Sequence, residues 1–412
     1  MALLQPFRAW RPRADLAPRV AAPPYDVLDS EEARKMAHDN EFSFLHVSKA
    51  EIDLEPGTRS DAPAVFNRAR ANFERMIAAG TFVREPSAAY YVYRQRMGDH
   101  VQTGLVAGAS LDEYVDGRIK KHEHTRIDKE DERARHIEAL NANAGPVFLI
   151  YPDRPAIDAL VARICQERPA YDFTSDDRIG HTLWVVSDAR AIAEIRRAFA
   201  DVPALYVADG HHRSAAALRV RDKRRAANPA HRGDEPYNFF LAVVFPSNQV
   251  KIMAYNRVVR DLNGLAPADF LARAGERFAL APAAHAEPDR VHDFGIFLDG
   301  RWQRLTAKSG SFPANDPVAS LDCAILQDNL LHPVLNIADP RTEKRIDFVG
   351  GIRGTAELER RCRSGWAVAF ALFPTAVDQL MSVADAGKFM PPKSTWFEPK
   401  LRSGLLVRPL ED

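Results

Sequence analysis

The sequence predicts a mixed α/β (α+β) fold, and three features predict it. Strand-like and helical runs alternate through the middle of the chain, which points to a sheet with helices packed on it. Apolar residues recur at helical spacing in some segments and gather into short unbroken runs in others. Hydrophobic content of 46% with 27% charged residues suits a globular core rather than disorder. The 412 residues leave room for two or three packed regions at about 100–200 residues each. The expected division is an N-terminal α/β region 1–118, a central mixed-sheet region 119–256 and a C-terminal α/β region 257–412.

The elements follow in chain order. Residues 1–30 are extended and proline-rich and end in Pro23-Pro24-Tyr25-Asp26-Val27, a stiff turn that presents Tyr25 and Asp26, either as an N-terminal arm or as a site lining. Ser30 reads as the N-cap of a short helix, and Phe42–Val47 as a strand carrying a packed His46. Val65, Ala69, Phe73 and Ile77 mark an amphipathic helix over 61–80 that ends at Gly80. Ala89–Gln95 and Val101–Leu111 read as paired strands, with Tyr90, Tyr91 and Tyr93 packing in the sheet. The charge-alternating stretch Asp128–Asn141 predicts a helix that is mostly solvated, with pairs such as Glu132–His136. Val147–Tyr151, Thr182–Ser187, Ala204–Ala208, Phe239–Phe245 and Val250–Tyr255 are strand-like, and Ala191–Ala200 is helical. Pro246–Gln249 reads as a hairpin turn between the last two strands. Beyond Asn256, helices over 266–279, 357–364 and 375–386 and a buried one over Leu321–Leu331 alternate with short strands such as Phe294–Leu298 and Ala367–Phe373.

Chemistry concentrates at Asp209-Gly210-His211-His212-Arg213, where a strand hands over to a helix. The first N–H groups of a helix have no partner within it and carry partial positive charge, so an anion docked there gains backbone donors. Two imidazoles and a guanidinium add proton transfer and phosphate recognition. A second stretch, His122-Glu123-His124-Thr125, offers Glu123 as a general base and His122 and Thr125 as phosphate ligands. In an extended segment His122 and His124 face one way and Glu123 the other, and HExxH spacing is absent, so no metal ligands are assigned. The third stretch runs from Met390 to Leu405 and is too polar for core. Its Lys393, Ser394, Thr395, Lys400, Arg402 and Ser403 supply donors for an anion without a GxxxxGK[ST] loop.

Lys+Arg and Asp+Glu are equal at 56 each, so bulk charge gives no reason to expect a nucleic-acid or membrane partner. Cys165, Cys323 and Cys362 form no CxxC pair, which suits a reducing cytoplasm. The first 20 residues lack the apolar stretch of a signal peptide, and no run approaches the roughly 20 residues that span a bilayer. The expectation is a soluble cytoplasmic protein, with a homo-oligomer left open.

Taken together, Pro23–Val27, His122-Glu123, Ala208–Arg213 and Met390–Thr395 to Gly404 resemble, in order and over essentially the whole chain, a bacterial and archaeal domain-of-unknown-function family, "ten-fifteen". Some members are encoded beside phosphoserine aminotransferase, which implies a role near serine metabolism. Asp209–Arg213 also resembles a motif of ParB-like domains, a superfamily that includes partition proteins, sulfiredoxins and an ADP-dependent free-serine kinase. That resemblance implies a ParB-like mixed sheet whose loop before a helix binds phosphate. The sulfiredoxin cysteine and a basic DNA-binding segment are absent, which disfavours redox repair and partition.

The leading expectation is a phosphoryl-transfer or phosphoester-hydrolysing enzyme on a small phosphorylated metabolite, with phosphoserine or serine as the implied substrate. Its catalytic candidates are His211, His212, Asp209 and Glu123. Its binding candidates are Gly210, Arg213, His122, Thr125, Lys393, Ser394, Thr395, Lys400, Ser403, Tyr25 and Asp26. Mg²⁺ and a nucleotide are the cofactors such chemistry would call for, although no all-carboxylate cage is visible. Two alternatives stand beside it: a nucleotide- or metabolite-binding regulator without chemistry, and a metal-dependent hydrolase using His122, His124, His211 and His212.

Overall fold

The structure, a computed structural model, describes residues 2–411 of the 412. It has two units, Met1–Val250 with Pro399–Asp412, and Lys251–Glu398. This differs from the expected division, for a physical reason. Strands on both sides of residue 118 lie in one sheet, and the last stretch of chain returns to the first unit.

That sheet has nine strands: β1 (Leu4–Gln5), β2 (Tyr90–Met97), β3 (His100–Ser110), β4 (Ile119–Lys120), β5 (Val147–Tyr151), β6 (Tyr171–Thr174), β7 (Gly180–Val186), β8 (Leu205–Asp209) and β9 (Phe239–Pro246). Their order is β4-β8-β5-β9-β3-β2-β7-β6, with β1 beside β3. The sheet is mixed, as expected. β8 runs parallel to β4 and β9 parallel to β5, and the other pairs are antiparallel. β5 and β9 are buried along their whole length, which explains why they read as unbroken apolar runs. Tyr90, Tyr91 and Tyr93 are buried in β2, and the Tyr90 and Tyr91 hydroxyls donate to the carbonyls of Leu4 and Phe7 at 2.6 and 3.0 Å.

The longer helices of this unit and the one-turn helix that follows Phe44 are α1 (Ser30–Ala37), α2 (Leu45–Ser48), α3 (Pro63–Ala78), α4 (Ile127–Leu140), α5 (Pro155–Ile164), α6 (Ala189–Ala200) and α7 (His211–Ala227), besides short helical pieces at Ala17–Val20, Ala50–Asp53, Leu111–Val115, Pro236–Asn238 and Ser247–Gln249. Ile157 and Leu160 of α5, Ile195 and Phe199 of α6 and Ala216 and Val220 of α7 share a core with Leu149, Val207 and Val244 of the sheet. Fully burying side chains of this size contributes about 1.5–3 kcal/mol each. A second core joins Phe44, Leu45 and Val47 to Phe73 and Phe82.

Several local expectations need correction. The N-cap of α1 is Asp29, not Ser30: its carboxylate accepts from the N–H of Glu31 and Glu32, and Glu32 returns the bond in a capping box. Phe42–Val47 is not a strand but leads into the one-turn helix α2, because burying Phe44, Leu45 and Val47 together in the second core outweighs strand propensity. His46 is packed, its ring between Asp53 Oδ1 at 2.7 Å and the Asn40 carbonyl at 3.2 Å. Helix α4 is not mostly solvated: Glu132, Arg133 and His136 are buried. Glu132 pairs with Lys129 and Arg133 rather than with His136, whose Nε2 faces the Val47 carbonyl at 2.9 Å. Pro246–Gln249 is not a hairpin turn, since β9 pairs with β3 and β5 while Lys251–Met253 pairs with Trp396–Glu398.

The second unit holds a six-stranded antiparallel sheet of β10 (Tyr255–Val259), β11 (Phe278–Pro282), β12 (Asp293–Leu298), β13 (Arg301–Ala307), β14 (Ile346–Gly350) and β15 (Val368–Leu372). Their order is β11-β13-β12-β15-β10-β14. The expected strand Val250–Tyr255 is broken at Ala254, with β10 starting at Tyr255. The unit also holds helices α8 (Pro267–Arg277), α9 (Asp322–Leu326), which a π-helical turn over Gln327–Leu331 continues, α10 (Gly354–Arg363) and α11 (Val377–Asp385), and a 3-10 turn at Gly351–Arg353. Leu358 of α10 packs on Val258, Phe297 and Ala369. No helix among the described residues is long and apolar enough to cross a membrane.

Candidate functional site

The junction of β8 and α7 is built as the sequence suggested. Leu205–Ala208 are buried and Asp209 ends the strand. Gly210 turns the chain at φ 98°, with α7 starting at His211. A Cβ at Gly210 would stand 3.3 Å from the Val147 Cα, so both the backbone angle and the close approach of β5 call for glycine. Gly210 provides no side-chain cap, and the first turn of α7 holds no acidic residue. A 17-residue helix therefore starts without a capping carboxylate or hydroxyl of its own.

Around this helix start the side chains fall into two groups. In the first, Lys400 Nζ donates to Asp209 Oδ2 at 3.0 Å. Burial pushes the Asp209 carboxyl up, but Lys400 and Arg213 outweigh it and hold the group well below the usual carboxylate range. His211 is 3% exposed, with Nδ1 3.7 Å from Glu123 Oε2 and its ring edge-to-face with His122 at 4.5 Å between centroids. Burial pushes His122 down to about 4 and His211 well below the ordinary imidazole value, so both rings are neutral. His211 Nε2 and both ring nitrogens of His122 are buried without a hydrogen-bond partner. The Val207 carbonyl favours protonation of His122 from nearby, without the geometry of a full hydrogen bond. His122, Glu123 and His211 each bring a ligand atom within 4.8 Å of the others. The backbone turn that an extended HEH segment would lack is present. The third member is His211 rather than His124.

The second group surrounds Arg213. Its Nη1 donates to the Pro146 carbonyl at 3.0 Å and its Nη2 to Asp26 Oδ1 at 3.2 Å. The Tyr25 ring lies 3.9 Å from the Arg133 Cζ and 5.4 Å from that of Arg213. Burial first, then the Asp26 charge, push the Tyr25 hydroxyl up to about 12. Tyr25, Ser48, Arg133, Asn143, Arg213 and Ser403 line a cavity of about 40 Å³. Ser48 Oγ, Arg133 Nε and Asn143 Oδ1 have no protein partner, and the space suits one or two waters.

Not every expected residue joins these groups. His212 Nε2 accepts from the Arg126 N–H at 3.1 Å, which commits that nitrogen to holding the start of α4. The Thr125 hydroxyl donates to Glu130 on α4. Along the last stretch, Lys400 faces Asp209 and Ser403 faces the Arg213 cavity, while Arg402 turns to Ser175 and Asp177. Lys393, Ser394 and Thr395 belong to the second unit. There Ser394 Oγ donates to the Pro391 carbonyl at 2.6 Å and faces Cys323 Sγ at 3.0 Å, and the Lys393 carbonyl accepts from Arg257 at 3.1 Å. Sequence reasoning missed Ser48, Arg133 and Asn143. Only the proximity of Arg133 to the His122–Thr125 motif hinted at it, and its charge argued for solvent.

With this geometry in hand, comparison with known proteins places the chain. The family described as "Protein of unknown function (DUF1015)" matches residues 4–324. The chain belongs to the DUF1015 family. No curated protein matches by sequence. Among solved structures, a free serine kinase in complex with AMP is similar at 13% identity, covering 71% of this DUF1015 chain and 86% of that one, with a TM-score of 0.36. A conserved hypothetical protein from Pyrococcus furiosus is similar at 11% identity, with coverage of 74% and 95% and a TM-score of 0.36. SbnI with a C-terminal truncation, from Staphylococcus aureus, is similar at 12% identity, with coverage of 74% and 87% and a TM-score of 0.38. Likenesses at this level leave the chemistry of the DUF1015 chain to its own residues.

Proposed function

We propose that this chain is a phosphoryl-transfer or phosphoester-hydrolysing enzyme acting on a small phosphorylated metabolite. The observation that carries the reading is the start of α7, a long helix without a side-chain cap, bordered by the ionised Asp209–Lys400 pair at 3.0 Å. A phosphate at that helix start takes backbone N–H donors and the favourable end of the helix dipole. Lys400 then neutralises charge as it spreads over the transferring group. Asp209 orients the attacking hydroxyl and takes its proton as the new O–P bond forms and the bond to the leaving oxygen breaks. Arg213 is a positioning residue, tying the first turn of α7 to Pro146 and to the Tyr25–Asp26 turn. The resemblance of Asp209–Arg213 to the phosphate loop of ParB-like domains supports this assignment.

The substrate class assayed first is serine or phosphoserine, with a nucleoside di- or triphosphate as donor for transfer. A reducing, cytoplasmic setting belongs to the same proposal, supported by three unpaired cysteines. Thermal stabilisation by inorganic phosphate, ADP and phosphoserine tests the binding half. The reading expects a saturable rise in Tm for at least one of them, lost in Lys400→Met. An unchanged Tm with all three, or an identical rise in the variant, argues against it.

A further inference from the structure

We propose that His122, Glu123 and His211 form a binding site for a divalent transition metal ion of the zinc type. The donors are two imidazoles and a carboxylate, whose ligand atoms lie within 4.8 Å of one another. His122 and His211 are 2% and 3% exposed, with three ring nitrogens lacking any hydrogen-bond partner. A buried polar atom left unpaired costs on the order of 1–3 kcal/mol, and each neutral imidazole carries one N–H and one lone pair, so an ion that accepts lone pairs engages one nitrogen on each ring. Imidazole is the commonest protein ligand for ions of this type, through either Nδ1 or Nε2.

Geometry and chemistry select the class of ion. Around zinc, with bonds of about 2.0–2.1 Å, tetrahedral ligand atoms stand roughly 3.4 Å apart. His211 Nδ1 and Glu123 Oε2 are already at 3.7 Å. Glu123 stands at the exposed edge of the cluster, with a side chain 45% exposed. Three protein ligands leave a fourth coordination position, which is the pattern of catalytic rather than structural zinc. Mg²⁺ takes oxygen ligands and fits this set poorly, so the imidazole-rich site departs from the magnesium cage expected of phosphoryl transfer. Of the nearest charges, Asp209 favours a cation and Lys121 opposes one.

The test is direct. The full chain, stripped with chelator, is dialysed against micromolar Zn²⁺ or Co²⁺ with millimolar Mg²⁺ present, and bound metal is counted. One equivalent per chain is expected, with Co²⁺ giving visible bands of low-coordinate imidazole ligation. Glu123→Gln lies at the exposed edge and tests the site without endangering the fold. It should weaken binding at least tenfold, and His211→Gln should abolish it. Less than a tenth of an equivalent in the wild type, full displacement by Mg²⁺, or unaltered affinity in Glu123→Gln overturns the proposal. Metal counting does not depend on turnover, so failure here and failure of the phosphoryl-transfer reading are told apart.

Discussion

Replacing Gly404 by alanine tests how the Lys400–Ser403 stretch is held in place. Gly404 has φ 87°, and a Cβ there would stand 2.6 Å from Phe44 Cγ and 2.7 Å from its Cβ. Phe44 is fully buried and wedged edge-on against Phe73 and Phe82, with ring centroids 6.3 and 5.9 Å away, so the ring has nowhere to retreat. The left-handed backbone costs about 1–2 kcal/mol for a residue with a Cβ. Overpacking adds about 1–3 kcal/mol. The stiffer unfolded chain returns about 0.4–1 kcal/mol. The net loss is therefore about 1–5 kcal/mol.

Gly57 is the matched control, with the same φ of 87° and nothing within 4 Å of where an alanine methyl would stand. Gly57→Ala carries only the backbone cost, about 0–1.6 kcal/mol after the unfolded-state gain. Urea midpoints at unchanged slope read both variants. If Gly404→Ala loses no more stability than Gly57→Ala, the close approach to Phe44 is not there and the account of this stretch fails.

Other consequences follow from the same contacts. Lys400→Met removes the main cation opposing burial at Asp209, so the carboxyl pKa should rise markedly, read by NMR titration, and turnover should fall about 10²–10³-fold; an unmoved Asp209 contradicts the pair. His46 is raised above 6.5 by its hydrogen bond to Asp53, against a smaller opposing effect of burial, while Asp53 is held below 3.8 by His46 and Asn72 despite burial. The Asp53 share is present above 3.8 and lost as pH falls; the His46 share is present below 6.5 and lost as pH rises through its folded value. The stability difference between wild type and His46→Gln should therefore peak between those two values and shrink on either side, and a difference flat from pH 4 to 9 refutes it. In the second unit, burial pushes the Asp322 carboxyl up to about 7, with Asp293 adding to the rise and the His292 N–H and Arg257 opposing it. The folded form then holds the proton more tightly, so this group costs stability as pH rises from 3.8 to 7. Asp322→Asn should flatten that slope and be the more stable protein at pH 8, measured by thermal unfolding.

What the sequence made legible was the local chemistry. Asp209-Gly210 before an Ala- and Arg-rich run announced a strand-to-helix junction, and the structure has it with Gly210 in the left-handed turn. Long periodic segments such as α3 were equally clear. The failures share a cause: burial decided by distant partners. Phe42–Val47 is short enough to read as strand or helix, and only packing against Phe73 and Phe82 selects the helical turn. Arg133 and Glu132 looked solvated because charges alternate along α4, yet they pair with each other and with Lys129, which lets both be buried. His122 and His211 are 89 residues apart in sequence, and nothing in either motif shows that their rings meet. Lys393–Thr395 and Lys400–Ser403 read as one polar motif, but the boundary between units falls at Glu398, and Ser394 spends its hydroxyl on its own loop.

The central claim is that the start of α7, with Asp209 and Lys400, performs chemistry on phosphate. ³¹P NMR of the protein with a nucleoside di- or triphosphate and serine, and separately with phosphoserine, measures it most directly. The account predicts a new phosphoester or free-phosphate signal that grows with time and is lost in Asp209→Asn. A spectrum that stays unchanged in every mixture, or one that develops equally with Asp209→Asn, would contradict it.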